Sequence, residues 1–211
     1  GNPWLQRYLK QLEVFLEVGR GKWAISHFIL IDGLNFAYEL RGATESYLAI
    51  IERPDTVRRV IDYAYDLNVK VQSIFFERIP LLEGGTCSNF AQWIPGRIVS
   101  ESLDPFHMTS LDYFESWGRE PAERIMAHFD GGVIHIHGNG RHLLSAASTL
   151  KGLKAILLGD DRGYPPAFEI LPQIKRQTGD VPLIVFNVGF EDFQTALQKG
   201  RLLGGVFYHV Q

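Results

Sequence analysis

The chain has 211 residues, 45% of them hydrophobic and 21% charged, with Lys+Arg 21 against Asp+Glu 24 and a formal net charge of −3. That composition belongs to one soluble globular domain with a sizeable core. The near balance of charge leaves no basic stripe for nucleic acid, and no apolar run approaches the ~20 residues of a bilayer span. A lone cysteine, Cys87, excludes an intrachain disulfide and points to a reducing, cytoplasmic compartment.

In chain order, Trp4–Val18 places Leu5, Tyr8, Leu9, Leu12 and Phe15 at a helical period and stops at Gly19-Arg-Gly21. Trp23–Ile31 reads as a buried strand ending at Asp32-Gly33, and a short helix covers Leu34–Leu40 before Gly42. Asp55, after Pro54, caps a long helix in which Val57, Val60, Ile61, Ala64, Leu67 and Val71 line one face. Glu83–Gly96 is loop-like, with Gly84-Gly85, Asn89 and Pro95-Gly96. From Arg97 the rhythm is regular. The strand Arg97–Leu103 leads to a helix Leu111–Phe129 capped by Thr109 or Ser110, and the strand Gly132–His137 to a helix Arg141–Leu150. The strand Leu153–Leu158 ends at Gly159-Asp160-Asp161, and Pro165-Pro166 opens a helix to about Gln177. A strand Val181–Asn187, a helix Phe190–Gln198 and a last strand Leu203–Val210 complete the chain, with no internal repeat.

Strand–helix alternation of this kind implies a parallel sheet with helical crossovers. No Gly-x-Gly-x-x-Gly turn follows a strand, although Gly138-Asn139-Gly140 comes partway. Polar residues gather instead at strand carboxyl ends: Asp32, Asp104, His135, His137, Asp160, Asp161, Asn187 and His209. In a (β/α)8 barrel those ends form one mouth, where such enzymes place their chemistry. The expected fold is therefore a single TIM-barrel domain over residues 1–211. A complete barrel takes ~250 residues, so about two N-terminal units are expected to be missing. An incomplete barrel exposes sheet edges, which predicts association, including homo-oligomers.

The sharpest chemical feature is Gly132-Val-Ile-His135-Ile-His137-Gly138. Alternation along a strand puts Val133, His135 and His137 on one face and Ile134 and Ile136 on the other. Two imidazoles so placed either chelate a divalent ion through neutral nitrogens or hydrogen-bond an anionic substrate. His209, in the last strand, converges on them as a third ligand if the barrel closes. Asp104, Glu101 and Asp160 are candidate acid–base groups or oxygen ligands, set against the ordinary role of strand-end Asp as a cap. Arg141, Asn139, His107 and Asp32 are candidate substrate-binding residues, Arg141 through a bidentate carboxylate contact. Cys87, with no Cys-x-x-Cys partner, reads as a packed thiol.

The order Gly33-Leu-Asn-Phe-Ala-Tyr-Glu-Leu-Arg41-Gly42, Glu52-Arg-Pro54-Asp-Thr-Val57, Asp104 with Met108-Thr-Ser-Leu-Asp-Tyr-Phe114, His135-Ile-His137-Gly138 and Gly204-Gly205 resembles the uroporphyrinogen decarboxylase family. The similarity runs over nearly the whole chain and matches the middle and late part of that family's barrel. It implies either decarboxylation of a porphyrinogen-like polycarboxylate or, in the family's zinc-dependent branch, methyl transfer from a corrinoid donor carried by a corrinoid protein. That branch binds zinc, or a similar divalent transition metal, through a His-x-Cys-Gly strand and a later cysteine. Here His135 matches the histidine, His137 stands in the first cysteine's place and His209 lies near the later one. Imidazoles in place of thiolates make such a metal harder and more Lewis-acidic. The decarboxylase alternative needs cations at the mouth, for which Arg97, Arg141 and Arg162 are available. A non-catalytic barrel that binds a small molecule is the third possibility.

Overall fold

The computed structural model describes residues 1–88, 90 and 93–211. Four helices come first: α1 (Pro3–Gly19), α2 (Gly33–Arg41), α3 (Ala43–Glu52) and α4 (Pro54–Arg78). The Asn2 carboxamide oxygen accepts the backbone N–H of Trp4 and of Leu5, at 2.9 and 3.2 Å, and Pro3 needs no such partner, so α1 starts there. Helix α3 was not anticipated; Gly42 ends α2 with φ 82° and the chain turns straight into the next helix. In α4 the cap residue is Arg53 and makes no side-chain cap bond, and Asp55 lies inside the first turn. Its buried stripe is Val57, Ile61, Ala64, Asn68, Gln72 and Phe75, whereas the expected Leu67 stays 37% exposed. The stripe carries a carboxamide because Asn68 donates to the carbonyls of Ile31 and Ala64, at 2.7 and 2.9 Å, tying α4 to the segment before α2.

That segment is the main departure from expectation. Residues 23–31 form no strand. They run alongside the sheet through a parallel bridge from His27 to Ser88 and a hydrogen bond from Leu30 N–H to the Ser100 carbonyl at 2.8 Å. Trp23 and Phe28 are 56% and 46% exposed, so the run lacks the two buried faces of a central strand. Within the expected loop, β1 (Gly85–Thr86) and β2 (Ile94–Pro95) pair antiparallel; Asn89 lies outside the described residues.

The remaining chain alternates. Strands β3 (Val99–Ser102), β4 (Gly132–Ile136), β5 (Leu153–Leu158), β6 (Leu183–Val188) and β7 (Val206–Val210) form one parallel sheet in sequential order. Helices α5 (Leu111–Trp117), α6 (Arg119–His128), α7 (Leu144–Ala147), α8 (Leu171–Thr178) and α9 (Phe190–Gln198) flank it. The single helix expected over Leu111–Phe129 is broken at Gly118, where a Cβ would sit 2.7 Å from the rings of Phe106 and Phe114. The helix expected from Arg141 is a 3-10 turn, Gly138–Leu143, followed by one α-turn, and the helix expected from Pro165 starts at Leu171. The order has no reversal point, so this is an α/β sheet wound in one direction, compatible with part of an α/β barrel.

Strand alternation sorts the core. Ile134, Ile136, Ile156, Leu158, Leu183 and Val185 face the helices, where they meet Leu34, Phe114, Met126 and Leu144. Val133, Ala155, Leu157 and Ile184 face the other way, against Phe90, Ile98 and the partly buried Ile94. Among the described residues, no helix is long and apolar enough to cross a membrane.

Ile136 is fully buried at the carboxyl end of β4. Ile136→Ala should destabilise the chain by about 2–5 kcal/mol in a urea melt, as expected for truncating a fully packed aliphatic side chain.

Candidate functional site

The parallel register places three strand ends side by side. Ser102 pairs with His135 and His135 with Leu157, so the segments leaving β3, β4 and β5 emerge together. They are the 3-10 turn Asp104–Phe106, the stretch His137–Gly140 and the turn Gly159–Asp161. Asp104, His135 and His137 each bring one ligand atom to within 4.8 Å of the others. The rings of His135 and His137 are 4.2 Å apart, with Phe90 packed on His135 at 5.2 Å and His107 edge-on to His137 at 5.5 Å.

A second layer of contacts orients these groups. Asp161 Oδ1 lies 3.0 Å from His137 Nδ1, and Asp161 Oδ2 accepts the Asn139 N–H at 3.3 Å. A carboxylate at that nitrogen holds the proton on Nδ1 and leaves the lone pair on Nε2, which lies 3.8 Å from Asp104 Oδ1. His107 Nδ1 lies 3.6 Å from the same Asp104 oxygen. Two glycines make room. A Cβ at Gly159 would stand 2.8 Å from His135 Nε2 and 3.2 Å from His137 Nδ1, and one at Gly140 would overlap the His107 ring.

Electrostatics match a ligand role. Burial, reinforced by the neighbouring His137, pushes the His135 pKa down to about 4. His107 also falls to about 4, through burial and the adjacent imidazoles, against the pull of Asp104. Both rings are therefore neutral across the physiological range, the form that binds metals. Burial opposes ionisation of Asp161, but the His137 and Asn139 hydrogen bonds outweigh it and hold the carboxyl below its usual range. The cluster opens into a cavity of about 440 Å3, lined by Tyr38, Asp104, His107, Met108, His137, Asn139, Asp161, Arg162 and Tyr164. Two imidazoles and one carboxylate form a 2-His-1-carboxylate set that leaves coordination positions open for water or substrate.

The other expected site residues lie elsewhere. His209 shares the face of His135, but on β7, at the far edge of the sheet from β3, and its ring packs on Phe186 at 4.8 Å. Its convergence on the other histidines required β7 to close against β3, and in the described residues the two are opposite edges. Glu101 shares the helix-facing side of β3 with Val99 and Leu103, away from the imidazoles, and is 4% exposed. Asp32, 5% exposed, sits beside Glu101 under α2, where burial pushes its carboxyl up to about 6. Asp160 accepts from Arg141 at 3.2 Å and from the Ala167 N–H at 2.7 Å, so the pair pins the loop after β5 and offers no free guanidinium to a substrate. Arg97 is bound to Asp130 at the amino end of β3, and Arg162 alone of the three expected cations lines the cavity. Asn187 is exposed with φ 60°, and Cys87 lines a separate apolar cavity beside Trp23 and Phe75, where burial raises its thiol pKa. Sequence reasoning passed over Tyr38, Tyr164 and the spacing role of Gly159. The last had a signal, a residue without a side chain on the strand next to two large rings.

Gly159→Ala should leave the fold intact but displace His135, lowering transition-metal affinity by tenfold or more in a chelator competition. In metal-free protein, the two buried imidazoles titrate near 4 when folded and near 6.5 when unfolded. Protons thus favour the unfolded chain, and their stabilising contribution is complete above about pH 6.5 and lost as the pH falls towards 4. The melting temperature should drop over that window, and His135→Gln should shrink the drop.

Comparison of the chain with protein-family models, curated proteins and solved structures finds no match in any of the three.

Proposed function

We propose that this chain is a metal-dependent group-transfer enzyme on a (β/α)8-type scaffold of the uroporphyrinogen decarboxylase kind, with methyl transfer to a small acceptor as its reaction. The observation that carries this reading is the meeting of Asp104, His135 and His137 within 4.8 Å at adjacent parallel strand ends, the position where such folds place their chemistry. One divalent transition ion, zinc foremost, would be held by these three residues and would supply Lewis acidity to polarise the acceptor.

The chain's own groups do the remainder. Asp161 sets the tautomer and angle of His137, and Asp104 is flanked by His107, so the ligands are oriented before anything binds. Phe90 packs on the His135 ring at 5.2 Å and shields part of it from water. Tyr38, Arg162 and Tyr164 line the volume left for a small molecule, which suits an acceptor with a polar or anionic end. The methyl donor, a corrinoid on a partner protein, is the part of the proposal that rests on the resemblance alone.

The metal-free decarboxylase alternative draws less support, because Arg97 and Arg141 are already paired with Asp130 and Asp160. Elemental analysis of purified protein decides first. Near one transition ion per chain is expected, falling at least tenfold in His135→Ala/His137→Ala and in Asp104→Asn, with His209→Ala unchanged. Wild-type protein free of metal after exposure to zinc would sink the proposal. Equal loss in His209→Ala would show that the ligand set is drawn wrongly.

A further inference from the structure

The helix-facing side of β3 holds an arrangement that the imidazole cluster does not use. Glu101 is 4% exposed and its Oε1 has no hydrogen-bond partner among the described residues. Asp32, 5% exposed, lies in the same pocket, and so does Asn35, also 5% exposed. The three line a cavity of about 20 Å3 between α2, β3 and α6, walled by Leu34, Phe106 and Trp117. That is room for one water or one ion.

Charge balance is the difficulty this pocket poses. Asp32 is set up as an acceptor: the Gly33 N–H and the Asn68 carboxamide, at 3.4 Å, both donate towards it. Of the charged groups on the packed elements, Glu120 on α6 adds further negative potential. Among the described residues the cation acting on Asp32 is Arg124, which does not line the pocket and whose guanidinium is engaged by Asp62 at 2.8 Å and by the Tyr65 ring at 3.9 Å. Burying two carboxyls without a compensating charge is costly, so a native fold neutralises them.

We propose that this pocket is a second cation site, in which Asp32, Glu101 and Asn35 hold one hard divalent ion of the magnesium or calcium class. All the donors are oxygens, the set such ions select, whereas the imidazole cluster favours a transition metal. The ion would cross-link the start of α2 to β3 and leave the interior neutral. The site is independent of the proposed catalytic centre, and its test is built to stay so.

The experiment uses chelator-stripped full chain carrying His135→Ala/His137→Ala, which removes the imidazole ligands. Terbium is titrated in, and its luminescence is read on excitation of tryptophan, with Trp117 lining the pocket as the sensitiser. One terbium equivalent is expected, displaced by calcium or magnesium. Glu101→Gln should weaken binding at least tenfold while circular dichroism stays unchanged, and Asn35→Leu, which keeps both carboxyls, should weaken it too. No sensitised binding, or binding undiminished in Glu101→Gln, overturns the proposal. It is equally overturned if, in the same His135→Ala/His137→Ala background, added calcium or magnesium leaves the melting temperature unmoved while adding Glu101→Gln stabilises the chain by an amount that grows as the pH rises from 4 through about 6. The pair would then be neutralised by protons.

Discussion

Everything at the candidate site depends on the parallel pairing of β3, β4 and β5. Parallel strands send all their carboxyl ends the same way, so residues dozens of positions apart leave the sheet within one neighbourhood. With Ser102 opposite His135 and His135 opposite Leu157, the turn carrying Asp104, the His-x-His stretch and the Asp160-Asp161 turn become adjacent without any long side chain having to reach. A slip of one residue in β4 would send both imidazoles into the helix layer and bring Ile134 and Ile136 out. The fully buried isoleucines lock that register, so the apolar core on one face holds the polar cluster in place on the other.

The strand ends also separate two kinds of acid. Asp160 and Asp161 are neighbours in sequence, yet one is consumed in pinning its loop through Arg141 and the Ala167 N–H while the other steers an imidazole. Asp104 and Glu101 come from the same short segment but end on different sides of it, one 46% exposed at its side chain and the other buried against the helices. Proximity in sequence therefore says little about shared chemistry here, whereas parity along the strand says a great deal.

Parity was also what the sequence made legible. The alternation Val133, His135, His137 against Ile134, Ile136 put both histidines on one face, and the strand–helix rhythm from Arg97 onward anticipated all five strands of the sheet. The same argument applied to Val99-Ser-Glu101-Ser-Leu103 would have placed Glu101 with its apolar neighbours on the helix side. Three things were hidden. Trp23–Ile31 looks like a strand by composition, and only the tertiary structure shows Trp23 and Phe28 facing outward. The buried Asn68 and Gln72 interrupt the apolar stripe of α4, so its true face is rotated from the one hydrophobicity suggests. A role for His209 beside the other histidines requires β7 to meet β3, a question of closure that periodicity within a strand cannot answer.

Gly159 has a wider meaning than its size suggests. It carries no functional group, sits just past the end of β5 while the histidines come from the end of β4, and contributes only the space in which two rings stand 4.2 Å apart. Part of what specifies this centre is therefore written as an absence, on a segment that binds nothing. Catalogues of reactive side chains will overlook such positions, and grafting Asp104, His135 and His137 onto another parallel sheet would not reproduce the cluster wherever the neighbouring strand keeps an ordinary side chain at that level.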